Sequence, residues 1–255
     1  MIEAIRAEWT KLRTLTSTAW LMIGAVALTI GVSAVIATAT HESSHGGDPT
    51  KLALSGIYLG QSVVAVLAVL AISEEYGTAM IRVTLTAVPN RLALLSAKAA
   101  NIAGLTFVIG VVAVTGCLVA GRLILPGAGF DAAHGYALVS ITHSPTLRAA
   151  LGSVLYLVLI GLLALGIATA IRDTAVSMGA LLALLYLPPL LAQVVSDPLR
   201  RHIQQIAPMT AGLAIQATTN LQSLSIKPWA GVSVLAAWAG VSLLIGAVLL
   251  RLRDA

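Results

Sequence analysis

AALGSVLYLVLIGLLALGIATAI occupies residues 149–171 and contains no Asp, Glu, Lys or Arg. About 20 apolar residues suffice for a helix to cross the hydrocarbon core of a bilayer. In lipid a backbone must satisfy its own polar groups, so only helices and closed barrels span. Barrel strands alternate in polarity and are short, whereas this run is continuous, so it reads as a membrane-spanning helix. Working outward, five more uncharged runs of similar length occur at 19–40, 52–73, 99–121, 175–196 and 230–250. The reading is an all-α membrane protein with six transmembrane helices over 19–255.

Composition agrees. Hydrophobic residues make up 58% of the 255-residue chain and charged ones 10%, against about 25% charged in soluble domains. Mean hydropathy is +0.95. The net charge of +5 in a soluble protein would suggest nucleic acid. Here the basic residues lie between the apolar runs, where they orient helices and meet lipid headgroups; no nucleic-acid partner is expected. The lone cysteine, Cys117, falls inside a run and reads as packing, since one thiol forms neither an intrachain disulfide nor a metal site.

Orientation follows from the Lys/Arg bias. With a cytoplasmic N-terminus, Arg6, Lys11, Arg13, Arg82, Arg91, Lys98, Arg172, Arg251 and Arg253 lie inside, and Lys51, Arg122, Arg148, Arg200, Arg201 and Lys227 outside, nine against six. Both termini are expected in the cytoplasm. The first run exceeds the 7–15 residues of a signal-peptide core, so it is expected to be retained as a span.

Three segments outside the runs carry expectations. Residues 1–18 place Ile2, Ile5, Trp9 and Leu12 at helical spacing, with Arg6 and Arg13 flanking the stripe. This predicts an amphipathic helix in the cytoplasmic interface, with Trp9, Lys11 and Arg13 at the headgroups. In 74–98, Gly77 permits a sharp turn and Thr78 can cap a short helix carrying Ile81, Arg82 and Leu85. Pro89 stops that helix and suits the first turn of the next. In 197–229, the apolar stretch 206–215 is half the length needed to cross and is interrupted by Pro208 and Gly212. It predicts an outer re-entrant hairpin before the last span. Pro188-Pro189 predicts a kink or break in the fifth span.

Ion-coupled carriers bury ionisable groups at mid-membrane; these six cores have none. Gln61, Asn101 and Gln193 are the strongest polar groups and read as interhelical hydrogen-bond partners. No Gly-x-x-x-x-Gly-Lys-Ser/Thr loop is present, so ATP is not bound by that route on this chain.

His41-Glu42-Ser43-Ser44-His45 matches H-E-x-x-H, the zinc-protease signature. That chemistry needs both histidines on one helical face, a third ligand and an open position. Ser43, Ser44, Gly46, Gly47 and Pro49 disfavour a helix, and no span carries an aspartate. The reading is a solvated loop without metal. An intramembrane zinc metalloprotease is the competing enzyme reading, an ion-coupled secondary carrier the competing transport reading, and a signalling or immunity subunit a fourth.

Glu75-Tyr76-Gly77-Thr78, Arg82, Thr84-Leu85 and Pro89-Asn90-Arg91 resemble the loop after the second span in ABC-2 type membrane subunits of ATP-binding-cassette transporters, notably compact actinobacterial ones. That loop runs Glu-Tyr-x-x-Gly-Thr-x-Arg-x-Thr-Leu-x-x-x-Pro-x-Arg; here no residue separates Tyr76 from Gly77. Glu8-Trp9-x-Lys11-Leu12-Arg13-Thr14 and the Leu249–Ala255 ending are similar to the family's termini, and the likeness spans the whole chain. The resemblance implies a permease subunit in a bacterial plasma membrane, working in export as a homodimer or heterodimer on two cytoplasmic ATPase subunits. ATP and Mg belong to those partners, and no cofactor is expected on this chain. It further implies that Glu74, Glu75, Tyr76, Gly77, Thr78, Ile81, Arg82, Thr84, Leu85, Pro89 and Arg91 couple to the ATPase, and that the dimer seam lies at the first and fifth spans. Small-x-x-x-small pairs, which allow close helix approach, occur at Gly56 and Gly60 and at Gly179 and Ala183.

Overall fold

The computed structural model describes residues 16–40, 47–77, 91–131, 134, 136, 139–140 and 142–252, with backbone alone at 16 and 74–77. The expected interfacial helix with Trp9, Lys11 and Arg13, the His41–His45 pentapeptide, and Thr78, Ile81, Arg82, Thr84, Leu85 and Pro89 lie outside the described residues. Every described element is helical. The α-helices in chain order are α1 (Thr16–Ala39), α2 (Pro49–Ala53), α3 (Ile57–Gly77), α4 (Arg91–Ile124), α5 (Ser144–Ile171), α6 (Thr174–Leu191), α7 (Asp197–Ile206), α8 (Pro208–Leu213) and α9 (Pro228–Leu252), with 3-10 turns at Leu125–Ala128, Ala214–Gln216 and Leu221–Ser223.

Five of these, α1, α4, α5, α6 and α9, are long and apolar enough to cross a membrane. The run expected at 52–73 is divided. Leu54–Gly56 form a turn between α2 and α3, leaving Ile57–Ser73 as the apolar part of a helix whose backbone continues to Gly77. The cause is local. A Cβ on Gly56 would lie 1.8 Å from the Thr29 carbonyl oxygen of α1, and the Gly56 N–H donates to Ser33 Oγ at 2.9 Å. Chain 54–56 is thereby pinned against α1, and α3 starts beyond it. Helix α4 begins earlier than its apolar run and takes in Arg91 and Lys98. Pro188 and Pro189 do not end α6, which runs on to Leu191.

Helix α5 is the centre. It packs against α3, α4, α6 and α9, and 61% of its most apolar window is buried, against 22% for α1 and α9 and 17% for α6. Glycines let its neighbours approach closely. A Cβ on Gly166 would meet Ser242 Oγ at 2.4 Å and the Leu243 N at 2.6 Å on α9, and one on Gly161 would meet Thr106 of α4 at 2.9 Å. A second joint ties α1, α3 and α4. Ser33 Oγ donates to Cys117 Sγ at 3.2 Å while accepting from Gly56, and Cys117 donates to the Thr29 carbonyl at 3.7 Å. The cysteine is thus a buried packing residue that also bridges two helices.

The bundle has two distinct ends. At one, Arg91 Nη1 donates to the Leu250 carbonyl at 2.7 Å and Arg172 Nη2 to the Leu249 carbonyl at 3.4 Å. Both serve last-turn carbonyls of α9, which have no partner within the helix. Arg172 turns α5 into α6 in the left-handed region, φ 65°, and Asp173 caps α6 by accepting the Val176 N–H at 2.8 Å. The other, loop-rich end holds α2, α7 and α8. There the polar helix α7, with no buried residue, meets at Ala207 the short apolar stretch, which forms α8, buried through Pro208, Met209, Ala211, Gly212 and Leu213, and the 3-10 turn Ala214–Gln216. Gly212 sits on the Tyr156 ring, and Gly231 of α9 on the Ala211 carbonyl.

Candidate functional site

A polar seam runs between α3, α5 and α6 beneath the loop-rich end. Gln61 is fully buried, and a buried amide must find partners. Its Oε1 accepts from the Tyr156 hydroxyl of α5. Its Nε2 donates to the Tyr58 carbonyl at 3.1 Å and to the Tyr186 hydroxyl of α6 at 3.3 Å. Tyr186 donates in turn to the Tyr58 carbonyl and lies 2.6 Å from Ser62 Oγ. Both amide hydrogens and the amide oxygen are satisfied, so the seam is neutral and closed upon itself.

Two cavities, about 320 Å³ and about 190 Å³, open above the seam and share Lys51 and Tyr58 in their walls. The larger is lined also by Ser55, Phe130 and Gln216, the smaller by Gln204, Thr210 and Ser225. Their rim is tied by Asp48. This carboxylate caps α2 by accepting the Lys51 N–H at 3.1 Å, and takes Thr218 Oγ1 at 2.7 Å and the Thr219 N–H at 3.1 Å. Arg148 of α5 donates to the Ala217 carbonyl, and Ile215 fills the space over Gly152. Strand-free chain 214–219 is thus clamped from two sides.

With Asp48 occupied, the Lys51 ammonium is exposed and makes no hydrogen bond or ion pair among the described residues. Ser55 Oγ, on the wall of the larger cavity, is buried and without a partner among them. A hydroxyl on a cavity wall can meet water or a polar group that enters the cavity. An ammonium and an open hydroxyl over aromatic and aliphatic walls suit a molecule with one anionic or strongly accepting group on an apolar body.

The residues singled out from the sequence separate in the structure. Gln61 bridges helices as expected. Asn101 is buried on α4. Gln193 corrects its expectation: it lies exposed in the turn after α6 with no side-chain hydrogen bond among the described residues, because α6 ends at Leu191 and lifts it out of the bundle. Glu74, Glu75, Tyr76 and Gly77 form the end of α3, and Arg91 opens α4 on the α9 terminus. Among the described residues no three His, Cys, Asp or Glu gather as a metal site would require. Sequence reasoning passed over Tyr156, Tyr186 and Asp48. The signal for the tyrosines was a phenol inside an apolar run, which needs a partner once buried. The chain matches no protein-family model, and no curated protein matches it in sequence.

Proposed function

We propose that the chain is the permease subunit of an ABC-2 type exporter, with six spans, both termini cytoplasmic, and its loop-rich end outside a bacterial plasma membrane. Two permease chains would sit on two ATPase subunits that bind ATP and Mg. The observation that carries the reading is the Gln61–Tyr156–Tyr186 seam under the Lys51 cavities: the polar groups between these apolar helices are an amide and hydroxyls, with no acidic or basic group to carry a coupling ion. Transport by this bundle would then draw its energy from elsewhere, and the Glu75–Arg91 resemblance says where. In this reading α3 is the second of the six spans, its apolar part Ile57–Ser73 reaching about 25 Å at ~1.5 Å per residue, with Glu74 and Glu75 at the cytoplasmic edge of a ~30 Å core. The buried α8 is the re-entrant limb. On α6, Val176, Gly179, Ala183, Leu187 and Leu190 form one exposed stripe opposite buried Ser177, Leu181 and Leu185, which suits a helix that meets a second copy.

Inverted membrane vesicles carrying the chain and the ATPase encoded beside it provide the test. Accumulation of amphiphilic anionic dyes should require ATP hydrolysis and persist when a protonophore collapses the proton gradient. Accumulation that stops with the protonophore while ATP stays saturating would assign a secondary carrier instead.

A further inference from the structure

Helices α4 and α5 touch closely at one level and part at another. A Cβ on Gly110 would meet Val154 at 3.3 Å, so the helices are in contact there. Towards the loop-rich end they diverge around a groove of about 320 Å³. On α4 its wall is Val111, Val114, Leu118 and Val119, and on α5 it is Leu147 and Leu151. Val111, Val114 and Leu118 are spaced by three and four, and Leu147 and Leu151 by four, so each helix presents one face to the groove. The groove lies open on the bundle surface: Val111 is 41% exposed, Val119 53% and Leu151 60%. At its upper end stands Arg122, exposed, with no hydrogen bond or ion pair among the described residues.

We infer that this groove is a binding site for one anionic phospholipid, with an acyl chain along α4 and α5 and the phosphate on the Arg122 guanidinium. Length and charge both select that occupant. The eleven helical steps from Val111 to Arg122, at ~1.5 Å each, cover about 16 Å, one leaflet of a ~30 Å core. The cation therefore stands at headgroup depth, where a planar guanidinium takes a phosphate in bidentate fashion. The walls below it hold apolar side chains with Thr115 and Ser140 as the other polar groups. The site stands apart from the Lys51 cavities, and the inference does not rest on the transport reading.

The test is native mass spectrometry of the purified full chain titrated with phosphatidylglycerol in detergent, with phosphatidylcholine and glycerol 3-phosphate as comparison probes. One phosphatidylglycerol per chain should be retained in preference to phosphatidylcholine, and glycerol 3-phosphate should not displace it. Arg122→Gln should weaken retention about fivefold, the equivalent of ~1 kcal/mol for one basic group near anionic lipid, and Arg122→Lys should restore part of it. Thr115→Trp, built from the exposed wall, should block the groove while leaving the cation in place. Each variant is first shown monodisperse by gel filtration. Equal retention in wild type, Arg122→Gln and Thr115→Trp would mean annular lipid only and overturn the site. Displacement by glycerol 3-phosphate would reassign it to free phosphate esters, and a change in oligomeric state without a change in lipid would reassign the groove to a second copy.

Discussion

Helices α5 and α6 follow one another across a two-residue turn, and both are uncharged along the membrane, yet they have opposite fates. The first is 61% buried over its most apolar window and the second 17%. Lipid tails are as apolar as leucine, so hydropathy does not decide which helix takes the centre. Small residues do. Gly152, Gly161 and Gly166 of α5 each lie against another helix or chain segment closely enough that a Cβ would collide, whereas nothing lies within 4 Å of the Cβ position of Gly179 on α6. The central helix spends its glycines on contacts within the chain; the peripheral one keeps its glycine facing outward.

The largest expected effect tests that contrast directly. Gly166→Leu drives a side chain into the α9 backbone and should cost about 3 kcal/mol, the upper end of ordinary overpacking. Gly179→Leu should stay within about 0.5 kcal/mol, as surface changes do. Thermal midpoints in detergent compare the two, and equal losses would dissolve the distinction between core and face.

Next in size is the seam that joins the two helices. Gln61→Leu leaves the buried Tyr156 hydroxyl without its acceptor and should cost about 1–3 kcal/mol. Adding Tyr156→Phe removes the stranded group, so the double variant should be more stable than Gln61→Leu alone. A double variant less stable than both singles would show that the seam is not a coupled network.

Lys51→Ala should leave the thermal midpoint unchanged, since the ammonium has no partner to lose. It should raise the half-saturating concentration of an anionic substrate roughly tenfold, in line with ~1.5 kcal/mol for a hydrogen bond to a charged group. Unchanged saturation would remove the cavities from the proposed transport path. Gly179→Leu also carries the assembly question. Gly179→Leu should reduce subunit crosslinking through α6 while the monomer remains folded. Gly56→Leu, with its Cβ position 1.8 Å from the Thr29 carbonyl, should instead unfold the α1–α3 joint. Undiminished crosslinking in folded Gly179→Leu would take α6 out of the seam.

Much of the helix plan was legible because a charge-free run of 20 residues has few alternatives in lipid. The division at 54–56 was not: Leu54, Ser55 and Gly56 continue an apolar run, and only the approach of α1 to Gly56 breaks it. Helix order around α5 was hidden for the same reason, since the close contacts of Gly152 with Ile215 and Gly212 with Tyr156 join positions far apart in sequence. At the candidate site, Gln61 announced itself as a strong polar group in an apolar run. Asp48 did not, because its role comes from Thr218 and Thr219, which the fold brings to it.

The permease reading meets its most direct test in one purification. The tagged chain, extracted in mild detergent, should bring down an ATPase with a Walker A loop in equal stoichiometry and with measurable ATP hydrolysis. That partner should be lost in Arg82→Glu and in Ile81→Asp paired with Leu85→Asp, while the membrane chain stays monodisperse. Losing a charged interface contact typically costs about 2–5 kcal/mol of binding, enough to dissociate a micromolar complex. A wild-type chain that purifies without any ATPase, or an ATPase held equally by both variants, would contradict the assignment.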